Sequence, residues 1–139
     1  MRLVVVQRGS LRDRHIAALR EEYLKRFTRF GSLTVVESTR GGSAFWPRSR
    51  CWKVALDERG EVLGSAALAR RLADWTMRHG EVAFAVGDAD GHDAEALAAS
   101  DARLSLSAMT LPHQLAHLLL CEQLYRAATI LAGLPYHRA

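Results

Sequence analysis

Cysteine is scarce in this chain of 139 residues: Cys51 and Cys121 are the two it has. Two thiols, each inside an apolar stretch, do not make a disulfide framework. Neither has a sequence neighbour that would activate it as a nucleophile. They read as buried thiols of a reducing compartment. No run approaches the roughly 20 apolar residues of a membrane span. The apolar part of "MRLVVVQR" (1–8) is too short for the core of a signal peptide. A cytoplasmic protein is therefore expected. The chain also lacks a G-x-S-x-G elbow, a phosphate-cradling P-loop, internal repeats and low-complexity tracts. A large excess of one charge is missing too: the net charge is +4 and the isoelectric point about 9.6. That balance suits an anionic partner such as RNA, and suits equally a protein that is merely basic.

Apolar residues make up 49% of the chain, enough for a globular core. The length fits one domain over residues 1–139. Strand-like and helix-like segments alternate. "RLVVVQ" (2–7) is a β-branched run that predicts a buried strand. Ile16, Leu19, Tyr23, Phe27 and Phe30 recur at helical spacing from Asp13 to about Phe30, and Gly31 marks a stop. Strands are predicted at 33–37, 51–56, 81–86 and 102–107, with a turn at "DERG" (57–60). Helices are predicted at about 64–79 and 93–99, with a long last one from His113 to about Ala132. The loop 38–50, "STRGGSAFWPRSR", interleaves arginines with Phe45 and Trp46. Such a loop can stack and hold single-stranded RNA, or its aromatics can tuck back onto the fold.

Strands separated by helices imply a parallel α/β sheet covered on both faces. Ligands of such sheets bind at the carboxyl ends of the strands. Leu56 and Asp57, Val86 and Gly87, and the run Ser105–Leu111 are placed on that rim. In the last helix Pro112 suits the first turn and Thr110 is a candidate cap. Glu122 and Arg126 are spaced to pair. The rest of this helix is apolar nearly all round, so it is expected to be buried on two sides: against its own sheet and against a second copy of the chain.

Two patterns resemble metal sites. His113 and His117 in "HQLAH" have the i, i+4 spacing of a zinc protease. Gln114 stands where the activating glutamate belongs, and no third ligand is apparent. "DADGHD" (88–93) lacks the spaced oxygen ligands and final glutamate of a calcium loop. No metal is expected at either.

"LSLSAMTLPHQLAHLLLCEQLYRA" (104–127), followed by "PYHR" (135–138), closely resembles the ribosomal large subunit methyltransferase H family, small enzymes of the SPOUT class. "YLKRF" (23–27), "VALDERG" (54–60) and "VG…DG" (86–91) fall where that family has counterparts. The resemblance implies an α/β fold with a trefoil-knotted parallel sheet and helices on both faces. Knots are rare exceptions among folds and are not readable from periodicity. It implies a homodimer that uses S-adenosyl-L-methionine to methylate N3 of a pseudouridine in 23S rRNA, in the intersubunit hairpin of the ribosome. Neither DNA nor a membrane is implied as a partner. Carried over by position, the cofactor contacts are Leu56, Gly87, Leu106, Ser107, Ala108, Met109, Thr110 and Leu111. Tyr136, His137 and Arg138 match the terminal motif that faces the target base. There His137 either accepts the N3 proton or polarises the base, and Arg138 binds phosphate or the uracil anion. Alternatively, both residues only hold RNA.

Three departures from the family pattern stand out. The turn after the fourth strand reads Gly87-Asp88-Ala89-Asp90-Gly91 where a Gly-Gly pair is usual. The segment between the second and third strands is short. His117 replaces a common arginine. They leave a second reading open: a knotted RNA- or ribosome-binding protein without methyl transfer.

Overall fold

The computed structural model describes residues 1–138. Five strands form one sheet in the order β2-β1-β4-β3-β5, with every pairing parallel. They are β1 (Arg2–Arg8), β2 (Ser32–Ser38), β3 (Trp52–Val62), β4 (Glu81–Val86) and β5 (Ala102–Ser105). The helices are α1 (Arg14–Phe27), α2 (Ser65–His79), α3 (Ala94–Ala98) and α4 (His113–Leu131), with a 3-10 turn at Gly42–Phe45.

The two-residue period of the strands sorts side chains between two unequal cores. Leu3 and Val5 of β1, Val54 of β3, and Val82 and Phe84 of β4 point to a thick apolar layer. It is completed by Phe27 of α1, Leu72 and Trp75 of α2, and Leu120 and Leu124 of α4. The opposite face carries Val6, Ala55, Ala83 and Ala85 under Phe45, Trp46 and Ala96. Small side chains there let a 3-10 turn and a short helix cover what longer helices cover on the first face.

Several local expectations are revised. Helix α1 starts where predicted, with the Asp13 side chain accepting the His15 and Ile16 N–H groups, but it ends at Phe27. "DERG" is not a turn between strand and helix. Strand β3 runs on to Val62, and its register shifts so that Leu56 and Glu61 both lie opposite Leu104. Gly60 makes this possible: a Cβ there would sit 2.7 Å from the backbone of Arg103 and Leu104. Strand β5 stops at Ser105, because Ser105 Oγ donates to the Ser107 carbonyl and bends the chain (2.8 Å). Thr110 is not the cap of α4; Pro112 occupies that position without a side-chain cap. In the loop 38–50, Phe45 and Trp46 tuck back and are buried, and Trp46 Nε1 donates to the Ala96 carbonyl at 2.9 Å. They are unavailable for stacking on RNA.

Cys51 and Cys121 are both free and buried. Burial pushes the Cys121 thiol up to about 12, so it stays protonated. Among the described residues, no helix is long and apolar enough to cross a membrane.

Candidate functional site

The carboxyl ends of β3, β4 and β5 surround a cavity of about 660 Å³. That volume lies within the roughly 300–1,000 Å³ of small-molecule and cofactor sites. Leu56, Gly87, Leu106, Ser107, Met109, Thr110 and Leu111 all line it. Residues from three separate loops are thus brought to one place, as strand order required. Ala108 is exposed and does not line the cavity.

Two turns shape the walls. Ser107 Oγ accepts the Met109 N–H (2.9 Å), curling the run after β5 around the opening. After β4, Gly87 passes so close to Gly91 that a Cβ would lie 2.8 Å from the Gly91 carbonyl carbon. Asp88 does not disrupt this turn. Its carboxylate accepts the Asp90 N–H at 2.9 Å, and its carbonyl accepts the Gly91 N–H at 2.9 Å. The side chain closes an Asx turn, a local preference of aspartate.

His92 is a wall residue that the sequence reading did not place. His92 approaches the Leu56 carbonyl with Nε2 at 2.7 Å. A carbonyl only accepts, so Nε2 carries the proton. Burial, the larger influence, lowers the His92 pKa, and the neutral ring ties the β4–α3 loop to the end of β3. Asp57 is nearly enclosed between Arg59 (3.6 Å) and Arg103 (3.8 Å). Glu58, Asp88, Asp90 and His113 complete a lining with more acid than base. The partial signal in sequence was that "VALDERG" and "GDADG" end strands.

"HQLAH" divides into three separate tasks. His113 lines the cavity. Gln114 Oε1 accepts the N–H groups of Arg12 and Asp13 at 3.1 and 2.8 Å, fastening the β1–α1 loop to the start of α4. His117 is fully buried and meets Gln7 with Nδ1 to Oε1 at 2.8 Å. Among the described residues, no group of three or more His, Cys, Asp or Glu is arranged to hold a metal ion.

Tyr136, His137 and Arg138 are not at this cavity. They follow α4 in the chain and fold back along it to Glu122 and Arg126. There the tail packs on its own helix. Tyr136 donates to Glu122 Oε2 (2.7 Å), and Tyr125 meets the Tyr136 ring edge-on at 4.7 Å. Burial, and next the Glu122 hydrogen bond, raise the Tyr136 pKa and keep the phenol protonated. Arg126 pairs with Glu122 at 2.9 Å, as predicted, and lies over the Tyr136 ring. Its Nη1 also approaches His137 Nδ1 at 3.2 Å. A guanidinium only donates, so His137 Nδ1 accepts and the neutral ring carries its proton on Nε2. Arg138 is exposed.

A parallel sheet with a glycine turn and a cavity at its carboxyl edge, where ligands of such sheets bind, defines an α/β protein of the small-molecule-binding kind. The family model described as "Predicted SPOUT methyltransferase" matches residues 1–137. The ribosomal RNA large subunit methyltransferase H of a Thermus thermophilus strain is 46% identical over 139 residues, covering 99% of each chain. The proteins of that name from Anaeromyxobacter sp. (strain K) and Paracoccus denitrificans are 41% and 38% identical. The match covers 99% of this chain with both, and 100% and 99% of theirs. A solved probable methylase family protein from Haemophilus influenzae shares the fold, with a TM-score of 0.55 at 13% identity over 99% of this chain and 70% of its own. The chain belongs to the SPOUT methyltransferase family and, within it, to the ribosomal RNA large subunit methyltransferase H family.

Proposed function

We propose that this protein, a single SPOUT domain threaded as a trefoil knot and working in the cytoplasm, methylates N3 of a pseudouridine in 23S rRNA as a homodimer. The methyl donor is S-adenosyl-L-methionine. The observation that carries the reading is the gathering of Leu56, Gly87 and the 106–111 run around one cavity. Gly87 lets the turn at the cavity wall close on Gly91, whose carbonyl carbon a Cβ would approach to 2.8 Å. The acidic lining suits a cationic sulfonium and ammonium ligand. The donor's methyl carbon is already electrophilic; the protein has to align it with N3 and ease loss of the N3 proton.

The dimer is inferred from where the tail is anchored and from the exposed apolar side chains of α4. The tail folds back onto Glu122 and Arg126; at about 1.5 Å rise per residue these anchors lie roughly 14 and 20 Å along α4 from His113 at the cavity. Held at these anchors and away from its own cavity, the tail serves the cavity of a second copy in this reading. Leu115, Leu119 and Leu131 are exposed on the same helix and offer the apolar surface for such pairing. Tyr136, held by Glu122, fixes the tail against the helix. With Nδ1 occupied by Arg126, the part of His137 is to donate from Nε2–H to a uracil oxygen and stabilise the anion as the N3 proton leaves to water. Arg138 holds the RNA phosphate.

The departure at Asp88 favours no loss of activity, because its carboxylate is spent on the turn itself. Calorimetric titration with S-adenosyl-L-methionine and S-adenosylhomocysteine, followed by mass spectrometry of rRNA from treated ribosomes and subunits, tests the reading. Saturable binding and a single added methyl on the target pseudouridine are expected. No binding by folded, dimeric protein overturns it in favour of an RNA-binding protein without methyl transfer. A His137→Gln variant with full turnover removes the role of His137 in the chemistry.

A further inference from the structure

Gln7 is the one buried polar side chain at the end of β1, 1% exposed on the face that carries Leu3 and Val5. It sits where the ladder between β1 and β4 runs out, opposite Val86. Backbone carbonyls past that rung lose their strand partners, and buried ones need another donor. The Gln7 amide supplies it. Nε2 lies 3.0 Å from the Arg8 carbonyl, 3.2 Å from the Gly87 carbonyl and 3.5 Å from the Val86 carbonyl. The side chain thus stands in for the missing rung.

An amide that donates with Nε2 at one end must present Oε1 at the other. His117 reads that end: Nδ1 meets Oε1 at 2.8 Å. Oε1 only accepts, so Nδ1 carries the proton. His117 Nε2 has no hydrogen-bond partner, so the polar anchoring of the ring rests on Gln7 alone. Burial, with Arg20 a smaller influence, lowers the imidazole pKa to about 4, and the ring is neutral with one N–H to give. A neutral ring protonated on Nδ1 is compatible with one orientation of the Gln7 amide, the one whose Nε2 faces Gly87.

We propose that Gln7 and His117 are positioning residues for the methyl donor, linking the start of α4 to the Gly87 carbonyl so that the Gly87–Asp88 peptide keeps one orientation in the cavity wall. In a trans peptide the Asp88 N–H points opposite to the Gly87 carbonyl, so holding the carbonyl inside the fold fixes where that N–H is directed. Gly87 and Asp88 both line the cavity. Helix α4 continues directly from the 106–111 run, so the same link sets one cavity wall against the other. The role rests on the reading of this cavity as the donor site.

Gln7→Leu keeps the shape and removes both ends of the link. His117→Leu removes the donor that orients the amide, and His117→Asn restores one. Titration of S-adenosyl-L-methionine into the dimeric protein is expected to show at least tenfold weaker binding for Gln7→Leu and His117→Leu, with His117→Asn recovering most of the loss. In ribosome methylation assays, KM for the donor rises by the same factor while kcat changes less than about threefold. Amide hydrogen exchange at 88–91 quickens in both leucine variants. Wild-type donor affinity in a folded Gln7→Leu protein overturns the positioning role and leaves the donor site intact. No binding by the wild type overturns the donor reading itself, and the role with it. Should Gln7→Leu not fold, the two His117 variants decide by the same measurements: equal affinities overturn the proposal.

Discussion

The two ends of α4 are built by different means. At the start the helix lacks a side-chain cap, and its polar residues serve other segments. Gln114 holds the β1–α1 loop, His117 holds Gln7, and His113 lines the cavity. From its middle onward the polar groups serve one another, as Glu122, Arg126, Tyr136 and His137 close a half-buried network. The first end shapes a container, and the second presents a fixed tail. A helix whose buried faces are apolar can do both, because its stability comes from packing against α1 and α2 rather than from its termini.

The comparison breaks most sharply at the container. Gly87→Val drives a side chain into the Gly91 backbone, 2.8 Å from the position of its Cβ. Donor affinity is expected to fall more than a hundredfold by calorimetry, with the helical circular dichroism kept. Next, Leu115→Asp with Leu119→Asp places charge on the exposed apolar stripe of α4. Sedimentation should show a monomer that binds donor within about threefold of wild type yet methylates ribosomes more than tenfold slower. Donor binding lost together with the dimer would refute the division of labour between the ends.

A pH titration separates the ends by stability. The folded His117 pKa, about 4, lies below the unfolded value near 6.5. The buried neutral ring therefore contributes fully above pH 6.5, and its share is lost as pH falls from 6.5 toward 4. The whole effect is about 3 kcal/mol. His117→Asn should flatten that limb in denaturant melts. The smallest effect belongs to the tail. Tyr136→Phe removes one hydrogen bond to Glu122, worth about 1.5–3 kcal/mol for a charged acceptor, and frees the tail. Methylation should drop several-fold with donor affinity unchanged.

Much of this was legible from residue order. The alternation of β-branched runs with 3.6-residue patterns placed all five strands and the four helices, because burial on both faces of a parallel sheet leaves a strong local signature. Seven of the eight expected cavity residues were legible through "VALDERG", the Gly87 turn and the 106–111 run, all of them strand ends. Ala108 was not, since a turn closed by Ser107 points one member outward.

What the sequence determined by itself is therefore the class of fold, the rim that carries the cavity, and the pairing of Glu122 with Arg126, all set by spacing within a few residues. Tertiary structure alone decided the rest. "HQLAH" is three unrelated anchors because its partners, Gln7 and the 12–13 backbone, lie over a hundred residues away. "DERG" continues a strand because Gly60 leaves room beside Leu104. Phe45 and Trp46 are core because the opposite sheet face is lined with alanine. Each outcome depends on what a distant segment brings within a few ångströms, and local pattern carries no record of that.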